Sequence, residues 1–160
     1  MSEVADLEFT LLVGEELHEI LRPPQLRMHY ENLLRRHYGV TARCSEEQLR
    51  SLLSSPTELV VFVIRDRAIV ATAQATFINV LPQPKVLVHN LIVADAGQNR
   101  IGEIVMTYLL ARVKGRWGQA CELPVFLMSK PHSTQLCFYQ GLGFRPHVEQ
   151  DLEIVWEKMV

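Results

Sequence analysis

The middle of the chain most constrains its fold, because three strand-like runs follow one another there. Residues 58–65 are dense in Val, Ile and Phe, and residues 68–80 alternate between apolar and polar side chains. Only Asp66 and Arg67 separate these two runs, which predicts a tight turn and an antiparallel hairpin. Pro82 and Pro84 break the chain before a third run at residues 86–93. The fold must therefore contain a sheet with this hairpin in it.

A long amphipathic helix is predicted directly after the third run. A turn that contains Gly97 leads into apolar positions spaced three and four residues apart, at Ile101, Ile104, Val105, Tyr108, Leu109 and Val113. This spacing gives a helix one apolar face that can cover a sheet. A short buried strand is predicted next, at residues 124–128.

The remaining elements complete an α/β domain. A first strand is predicted at residues 7–12 and a helix at residues 15–21. A second helix is predicted after Pro24, ended by Gly39, and a third after Ser45, where Gln48 completes a capping box. A helix at residues 133–142 and a final strand at residues 148–156 follow. The order is β-α-α-α-β-β-β-α-β-α-β, with helices flanking a mixed, mostly antiparallel central sheet. No repeat or linker divides residues 1–160, so a single domain is expected.

Composition narrows the functional class. Sixteen Lys and Arg against eighteen Asp and Glu give a net charge of −2, which argues against a broad nucleic-acid footprint. The longest purely apolar run, residues 59–64, is far too short to span a membrane. Three cysteines without a C-x-x-C pair fit a reducing compartment, and the acidic N-terminus lacks the pattern of a signal peptide. We therefore expect a cytoplasmic protein that binds neither nucleic acid nor membrane.

Several familiar catalytic motifs are missing from the sequence. It has no G-x-G-x-x-G for a dinucleotide, no G-x-x-x-x-G-K-S/T for a nucleoside triphosphate and no G-x-S-x-G for a hydrolase. Its histidines show no metal-ligand spacing, so no metal site is predicted. What remains is the strand–turn–helix at residues 86–113, where first-turn amides and the helix dipole attract anions and Arg100 adds a cation. Taken alone, such a turn is more often a plain connection than a phosphate site.

Two segments resemble the signatures of the GCN5-related N-acetyltransferases. Residues 91–106, LIVADAGQNRIGEIVM, resemble that family's acetyl-CoA motif. Residues 132–146, HSTQLCFYQGLGFRP, are similar to its second signature, a Phe-Tyr or Leu-Tyr pair followed by x-x-x-Gly-Phe. Residues 68–73, AIVATA, match the family's I-V-G-x-A hairpin with Ala71 in place of Gly. Because the element order is also the family's, the resemblance covers nearly the whole chain.

The first signature departs from the family pattern in its turn. The family carries R/Q-x-x-G-x-G/A, and with one residue deleted Gly97 takes the Arg/Gln position, Arg100 replaces the first glycine and Gly102 takes the final small position. A side chain at position 100 either narrows the phosphate cradle or binds a phosphate directly, and a degenerate, non-binding site is the alternative. The resemblance implies cofactor binding by Leu91, Ile92, Val93, Gly97, Gln98, Asn99, Arg100, Ile101, Gly102, His132 and Tyr139.

The resemblance also implies catalytic roles for Tyr139 and His89. Tyr139 takes the position of the family tyrosine that can protonate the departing thiolate, although an aromatic pair at the core edge would look the same. His89 and Asn90 stand where some members carry acidic residues on the same strand, and the neutral imidazole of His89 can accept a proton from the amine. A packed core histidine, a water wire or a base from residues 22–38 are the alternatives. Cys137 is expected to be buried rather than to act as a nucleophile.

The implied function is acetyl transfer from acetyl-CoA, a cosubstrate, to a primary amine by direct attack. The cosubstrate would lie between the strand that ends near Val93 and the strand at residues 124–128, where the backbone of residues 91–93 would polarise the acetyl carbonyl. A small-molecule acceptor is favoured over a protein, and a homodimer is left open. The alternative is a non-catalytic acyl-CoA sensor or a protein-interaction module on the same fold, because fold does not fix function.

Overall fold

One seven-stranded sheet organises the chain, with its strands in the order β1-β2-β3-β4-β5-β7-β6. The structure, a computed structural model, describes residues 10–13, 22, 24–39, 44–94, 99–129, 135–149 and 154–160. The strands are β1 (Thr10–Val13), β2 (Glu58–Arg65), β3 (Ala68–Ile78), β4 (Lys85–Val93), β5 (Pro124–Ser129), β6 (Arg145–Glu149) and β7 (Ile154–Met159). The helices are α1 (Pro24–Tyr38), α2 (Glu46–Ser54), α3 (Asn99–Trp117) and α4 (Gln135–Gly141). The predicted helix at residues 15–21 lies outside the described residues.

The sheet is mixed and mostly antiparallel, as predicted. Strands β1 to β4 pair antiparallel with their neighbours, β5 and β6 each pair antiparallel with β7, and only β4 and β5 run parallel. Both residues of the β2–β3 turn have positive φ, 50° at Asp66 and 61° at Arg67. Positive φ at both central residues is what a type I′ hairpin turn requires, so the predicted hairpin is confirmed.

The predicted final strand at residues 148–156 was wrong. Two strands, β6 and β7, occupy this part of the chain and pair antiparallel, with Arg145 opposite Glu157 and Val148 opposite Val155. Residues 149–153 read Glu-Gln-Asp-Leu-Glu, without the Gly or Pro that usually marks a turn. A continuous strand was therefore the natural interpretation of the sequence, and the sheet gains one strand over the predicted six.

Two apolar clusters hold the helices against opposite faces of the sheet. Helix α3 buries Val105, Leu109 and Val113 against one face, and Trp156 is fully buried there. Helices α1 and α2 cover the other face, where Tyr30 packs edge-on against Phe62 with ring centroids 4.9 Å apart. The capping box that starts α2 is formed as predicted, by the side chains and amides of Ser45 and Gln48. Within the described part of the chain, no helix is both long enough and apolar enough to span a membrane.

Candidate active site

Strands β4 and β5 separate after two residue pairs and leave an opening in the sheet. Pairing joins only Val86 with Val125 and Leu87 with Phe126, whereas β4 continues to Val93 and β5 to Ser129. Beyond Leu87, the edge of β4 that faces β5 therefore has no ladder partner among the described residues. A cavity of about 430 Å³ lies at this opening. Its walls come from α1, β4, α3, β5 and α4, through His37, Tyr38, Leu87, Val88, His89, Asn90, Leu91, Met106, Leu127, Met128, Ser129, Gln135 and Tyr139.

A β-bulge at Asn90 shapes the β4 wall of the cavity. Gln74 of β3 pairs with His89 and Thr72 pairs with Ile92, so two β4 residues, Asn90 and Leu91, oppose one residue of β3. Asn90 adopts a left-handed backbone conformation with φ of 55°, which Asn tolerates better than most residues. The extra residue reverses the alternation of side chains along the strand.

Because of this reversal, the β4 residues predicted to bind the cofactor lie on opposite faces of the sheet. Leu91 and Val93 pack on the α3 side together with Val86 and Val88, while Ile92 is buried on the α1–α2 side. Leu91 also lines the cavity. Since the Ile92 side chain points into the core, only its backbone could contribute to a binding site.

Tyr139 reaches the cavity from α4 and is held by aromatic contacts. Its ring centroid lies 5.2 Å from that of Phe138, 6.2 Å from that of Phe144 and 5.7 Å from that of Trp156. The side chain is only 6% exposed, and its hydroxyl has no hydrogen-bond partner among the described residues. Burial raises the pKa of Tyr139 above its ordinary value, so the hydroxyl keeps its proton at neutral pH.

His89 lines the same cavity and is hydrogen-bonded through a threonine to a carboxylate. Its Nε2 lies 2.7 Å from Thr76 Oγ1, and that hydroxyl donates to Glu58 Oε2 at 2.9 Å. The imidazole is half-buried, which lowers the pKa of His89 below its ordinary value, and the nearby Glu58 carboxylate partly opposes the shift. A neutral His89 is therefore available to accept a proton at neutral pH.

A second chain of hydrogen bonds ends on the same carboxylate oxygen. Gln74 Nε2 donates to Glu58 Oε2 at 2.8 Å, and Asn90 Nδ2 donates to Gln74 Oε1 at 2.9 Å. The hydroxyl of Tyr38, at the end of α1, donates to Asn90 Oδ1. Sequence reasoning named Asn90 beside His89 and included Tyr38 only as the end of residues 22–38. It gave Gln74 no role, although the alternation of polar residues along β3 was a signal that one face of that strand is not plain core.

The start of α3 lies just beyond β4 and carries the remaining described residues of the first signature. Asn99 opens the helix and Arg100 is exposed in its first turn. Ile101 is buried in the core, and Gly102 is buried with its Cα facing Phe138 and Val93. Both can offer only backbone amides to a ligand. Gly97, Gln98 and His132 lie outside the described residues.

Cys137 does not pack in the core as expected, because α4 turns its side chain to solvent. The helix points Tyr139 inwards, and a residue two positions earlier lies on a different face. Cys44 and Cys121 are also free thiols. No group of three potential metal ligands occurs in the part of the chain that the structure describes.

These features suit an acyl-CoA as the ligand. Beyond Leu87, the β4 edge without a ladder partner among the described residues would offer backbone groups to an extended pantetheine chain. The first-turn amides of α3, with Arg100, would offer an anion site next to it. Tyr139 lines the cavity, and its hydroxyl has no hydrogen-bond partner in the part of the chain that the structure describes. The residues present are therefore suited to hold this cosubstrate.

Solved structures with the same architecture include several acetyltransferases. Escherichia coli ElaA matches with a TM-score of 0.66 at 18% identity, covering 94% of this chain and 99% of that one. The aminoglycoside 6'-N-acetyltransferase from Enterococcus faecium matches with a TM-score of 0.69 at 16% identity, covering 94% and 96%. Arabidopsis thaliana NAA60, solved with a bisubstrate analogue, matches with a TM-score of 0.63 at 12% identity, covering 94% and 99%. The fold is that of the GCN5-related N-acetyltransferases. No family model and no curated protein sequence matches the chain.

The acetyltransferase fold agrees with the expectation drawn from the two signatures. The alignments with known structures span nearly the whole chain, as the resemblance did. At these identities the comparison establishes the architecture, and function has to be argued from the site.

Proposed function

We propose that the protein is an acetyl-CoA-dependent N-acetyltransferase that acts on a primary amine by direct attack. The observation that carries this proposal is the cavity between β4 and β5, with the bulged β4 backbone on one wall and the buried Tyr139 hydroxyl on the other. A cavity with an unpaired strand edge, a protonated phenol and a neutral imidazole has the groups that acyl transfer to an amine requires.

The chain contributes binding groups along both arms of the opening. We propose that the backbone of Leu91, Ile92 and Val93 holds the acyl arm, and that the amides from Gly97 to Gly102, with the Arg100 guanidinium, hold the phosphates. His132 would border the pantetheine. The thioester supplies an acetyl group already activated for transfer. Tyr139 holds a proton at its hydroxyl oxygen for the departing sulfur, and His89 accepts a proton from the acceptor amine.

A small-molecule acceptor is proposed rather than a protein. Two of the similar structures are aminoglycoside 6'-acetyltransferases, whose acceptors are small amines by name, and this supports the choice. The cytoplasm is the proposed compartment because the cysteine usage of the sequence suits a reducing environment. Neither nucleic acid nor membrane is needed for the proposed reaction.

Two measurements on the wild-type protein test the proposal. Titration calorimetry with acetyl-CoA and with CoA should show binding, and release of free thiol should be followed with a panel of aminoglycosides, polyamines, amino sugars and peptides with a free N-terminus. Thiol release that depends on one acceptor class identifies the substrate. Binding without transfer to any amine would favour the acyl-CoA sensor, and no binding at millimolar cosubstrate would remove both readings.

A further inference from the structure

The proton count around Thr76 fixes which nitrogen of His89 is basic. The Thr76 hydroxyl has one proton, and it lies within hydrogen-bond distance of Glu58 Oε2, at 2.9 Å, and His89 Nε2, at 2.7 Å. An ionised carboxylate can only accept, so the threonine proton goes to Glu58 and the threonine oxygen must accept from His89. His89 therefore carries its proton on Nε2, which leaves the lone pair of the neutral ring on Nδ1.

His89 is one of the residues that line the cavity in which an acceptor would bind. Its Nδ1 has no hydrogen-bond partner among the described residues. The other titratable groups that line this cavity are His37 and Tyr38 from α1 and Tyr139 from α4. Glu58 is thus the one carboxylate in hydrogen-bonded connection with the imidazole in the described residues.

We infer that Glu58 and Thr76 are positioning residues that hold His89 with its Nδ1 lone pair available to take a proton from a cationic amine acceptor. This inference rests on the proposed function and deepens it, since it names the basic atom and the residues that orient it. The Glu58 charge would also stabilise the imidazolium that forms, through the intervening hydroxyl. The acceptor class that needs such a base is an alkylammonium, which is protonated at neutral pH.

The proton and bond changes of this step balance. Nδ1 takes one proton from the ammonium group, and the freed nitrogen lone pair forms the new C–N bond to the acetyl carbon. The C–S bond breaks with its electron pair leaving on sulfur, which takes the hydroxyl proton of Tyr139. The nitrogen loses a second proton as the amide forms, and this proton restores the tyrosine through solvent. His89 releases its proton to solvent, so the products are an amide, a thiol and one proton.

Nuclear magnetic resonance tests the geometry without using activity. The imidazole ¹⁵N shifts of His89, assigned with His89→Gln, should show the Nε2-protonated form in the wild-type protein. Thr76→Val keeps the side-chain shape but removes the oxygen that accepts from Nε2, so the preference for this form should be lost. Thr76→Ser should restore it. An Nδ1-protonated ring in the wild-type protein would overturn the inference.

Kinetics then test whether the arrangement serves the reaction. His89→Gln should lower kcat by about 10²-fold, the lower end for general-base catalysis. Glu58→Gln should lower kcat by only about 10-fold, because the glutamine side chain keeps an oxygen that can accept from Thr76 but has no charge. The acidic limb of the kcat/KM profile should move to lower pH in Glu58→Gln, since activity needs neutral His89 and the carboxylate raises the pKa of that group. Two exposed positions supply the control variants. Glu46→Gln on α2 makes the same chemical change as Glu58→Gln, and Thr107→Val on α3 the same change as Thr76→Val. Both controls should show wild-type kinetics.

A double variant separates positioning from structure. If Glu58 acts only through His89, then Glu58→Gln should have no further effect on kcat in the His89→Gln background. The inference is refuted if Glu58→Gln lowers kcat equally in the wild-type and His89→Gln backgrounds. It is also refuted if an active Glu58→Gln protein shows no shift of the acidic limb. In either case, turnover by the wild-type protein leaves the proposed function standing. A wild-type protein without acetyl-CoA binding refutes the proposed function itself, and the catalytic role of Glu58 and Thr76 with it.

Discussion

Removing the hydroxyl of Tyr139 should separate its chemical role from its packing role. Tyr139→Phe keeps the ring and its contacts with Phe138, Phe144 and Trp156. The lost hydroxyl has no hydrogen-bond partner among the described residues, so no polar partner is left unsatisfied. The substitution therefore changes the cavity and leaves the core as it is.

The expected magnitudes differ sharply between stability and rate. The free energy of unfolding should change by no more than about 0.5 kcal/mol, whereas Tyr139→Ala, which empties a buried aromatic site, should lose about 3–5 kcal/mol. If the hydroxyl protonates the departing thiolate, kcat should fall by about 10²-fold, equivalent to about 2.7 kcal/mol of transition-state stabilisation. The KM for acetyl-CoA should change much less, because the hydroxyl matters mainly as charge develops on sulfur.

Urea unfolding and steady-state thiol release measure the two quantities on the same preparations. Tyr108→Phe, the same change at a half-buried position of α3 that does not line the cavity, serves as the control and should leave both unchanged. The pH profile adds a second check: a phenolate cannot donate, so any alkaline limb due to Tyr139 lies above the ordinary tyrosine range, given its raised pKa, and should vanish in the Phe variant. Turnover of Tyr139→Phe at the wild-type rate would show that this residue only packs.

Three further changes test other parts of the site and the core. Arg100→Ala should weaken acetyl-CoA binding by about 1.5 kcal/mol, the low end for a hydrogen bond to a charged group, because the side chain is exposed. Calorimetry should show a larger loss at low salt. Tighter binding by Arg100→Gly than by the wild type would show instead that the side chain obstructs the phosphate site. Gly102→Ala places a Cβ at ordinary contact distance, 3.4 Å from Phe138 Cζ, and should raise the free energy of unfolding by up to about 1 kcal/mol. Gly115→Ala in the same helix, where nothing lies within 4 Å of the added Cβ, should do the same. A loss of stability at position 102 alone would show that the contact with Phe138 is too tight for the methyl group. Ser129→Ala removes the oxygen that accepts from buried Trp156 Nε1 at 2.8 Å and should cost about 1–3 kcal/mol in urea unfolding, and an unchanged midpoint would count against that hydrogen bond.

Local sequence signals predicted most of the fold correctly. The β-branched run that forms β2, the two-residue turn at Asp66 and Arg67, and the capping box at Ser45 each depend on neighbours within a few residues, and each is present. The split between β6 and β7 was not predictable in this way. Residues 150–153 contain neither Gly nor Pro, and the pairing of Val148 with Val155 is decided by the sheet rather than by local chain preference.

The candidate site was predictable in its parts but not in its connections. Motif resemblance located Tyr139 and the start of α3, and residue chemistry drew attention to His89. The link from His89 to Glu58 depends on the register of three strands, which places Glu58, Thr76 and His89 on one face of the sheet. Nothing in a single sequence fixes such a register, so Glu58 and Thr76 could be assigned only from the structure.

The two residue pairs between β4 and β5 give the sheet a seam that is closed at one end only. Strands β1 to β4 lie on one side of this seam and strands β5 to β7 on the other. A ligand that lies in the opening contacts both sides and bridges β4 and β5 where the two strands are not paired. Because such a ligand binds only the folded chain, the free energy of unfolding rises as the ligand concentration rises. The cosubstrate would then stabilise the fold as well as react. Backbone amides beyond Leu87 would exchange their hydrogens with solvent more slowly in the ligand-bound protein.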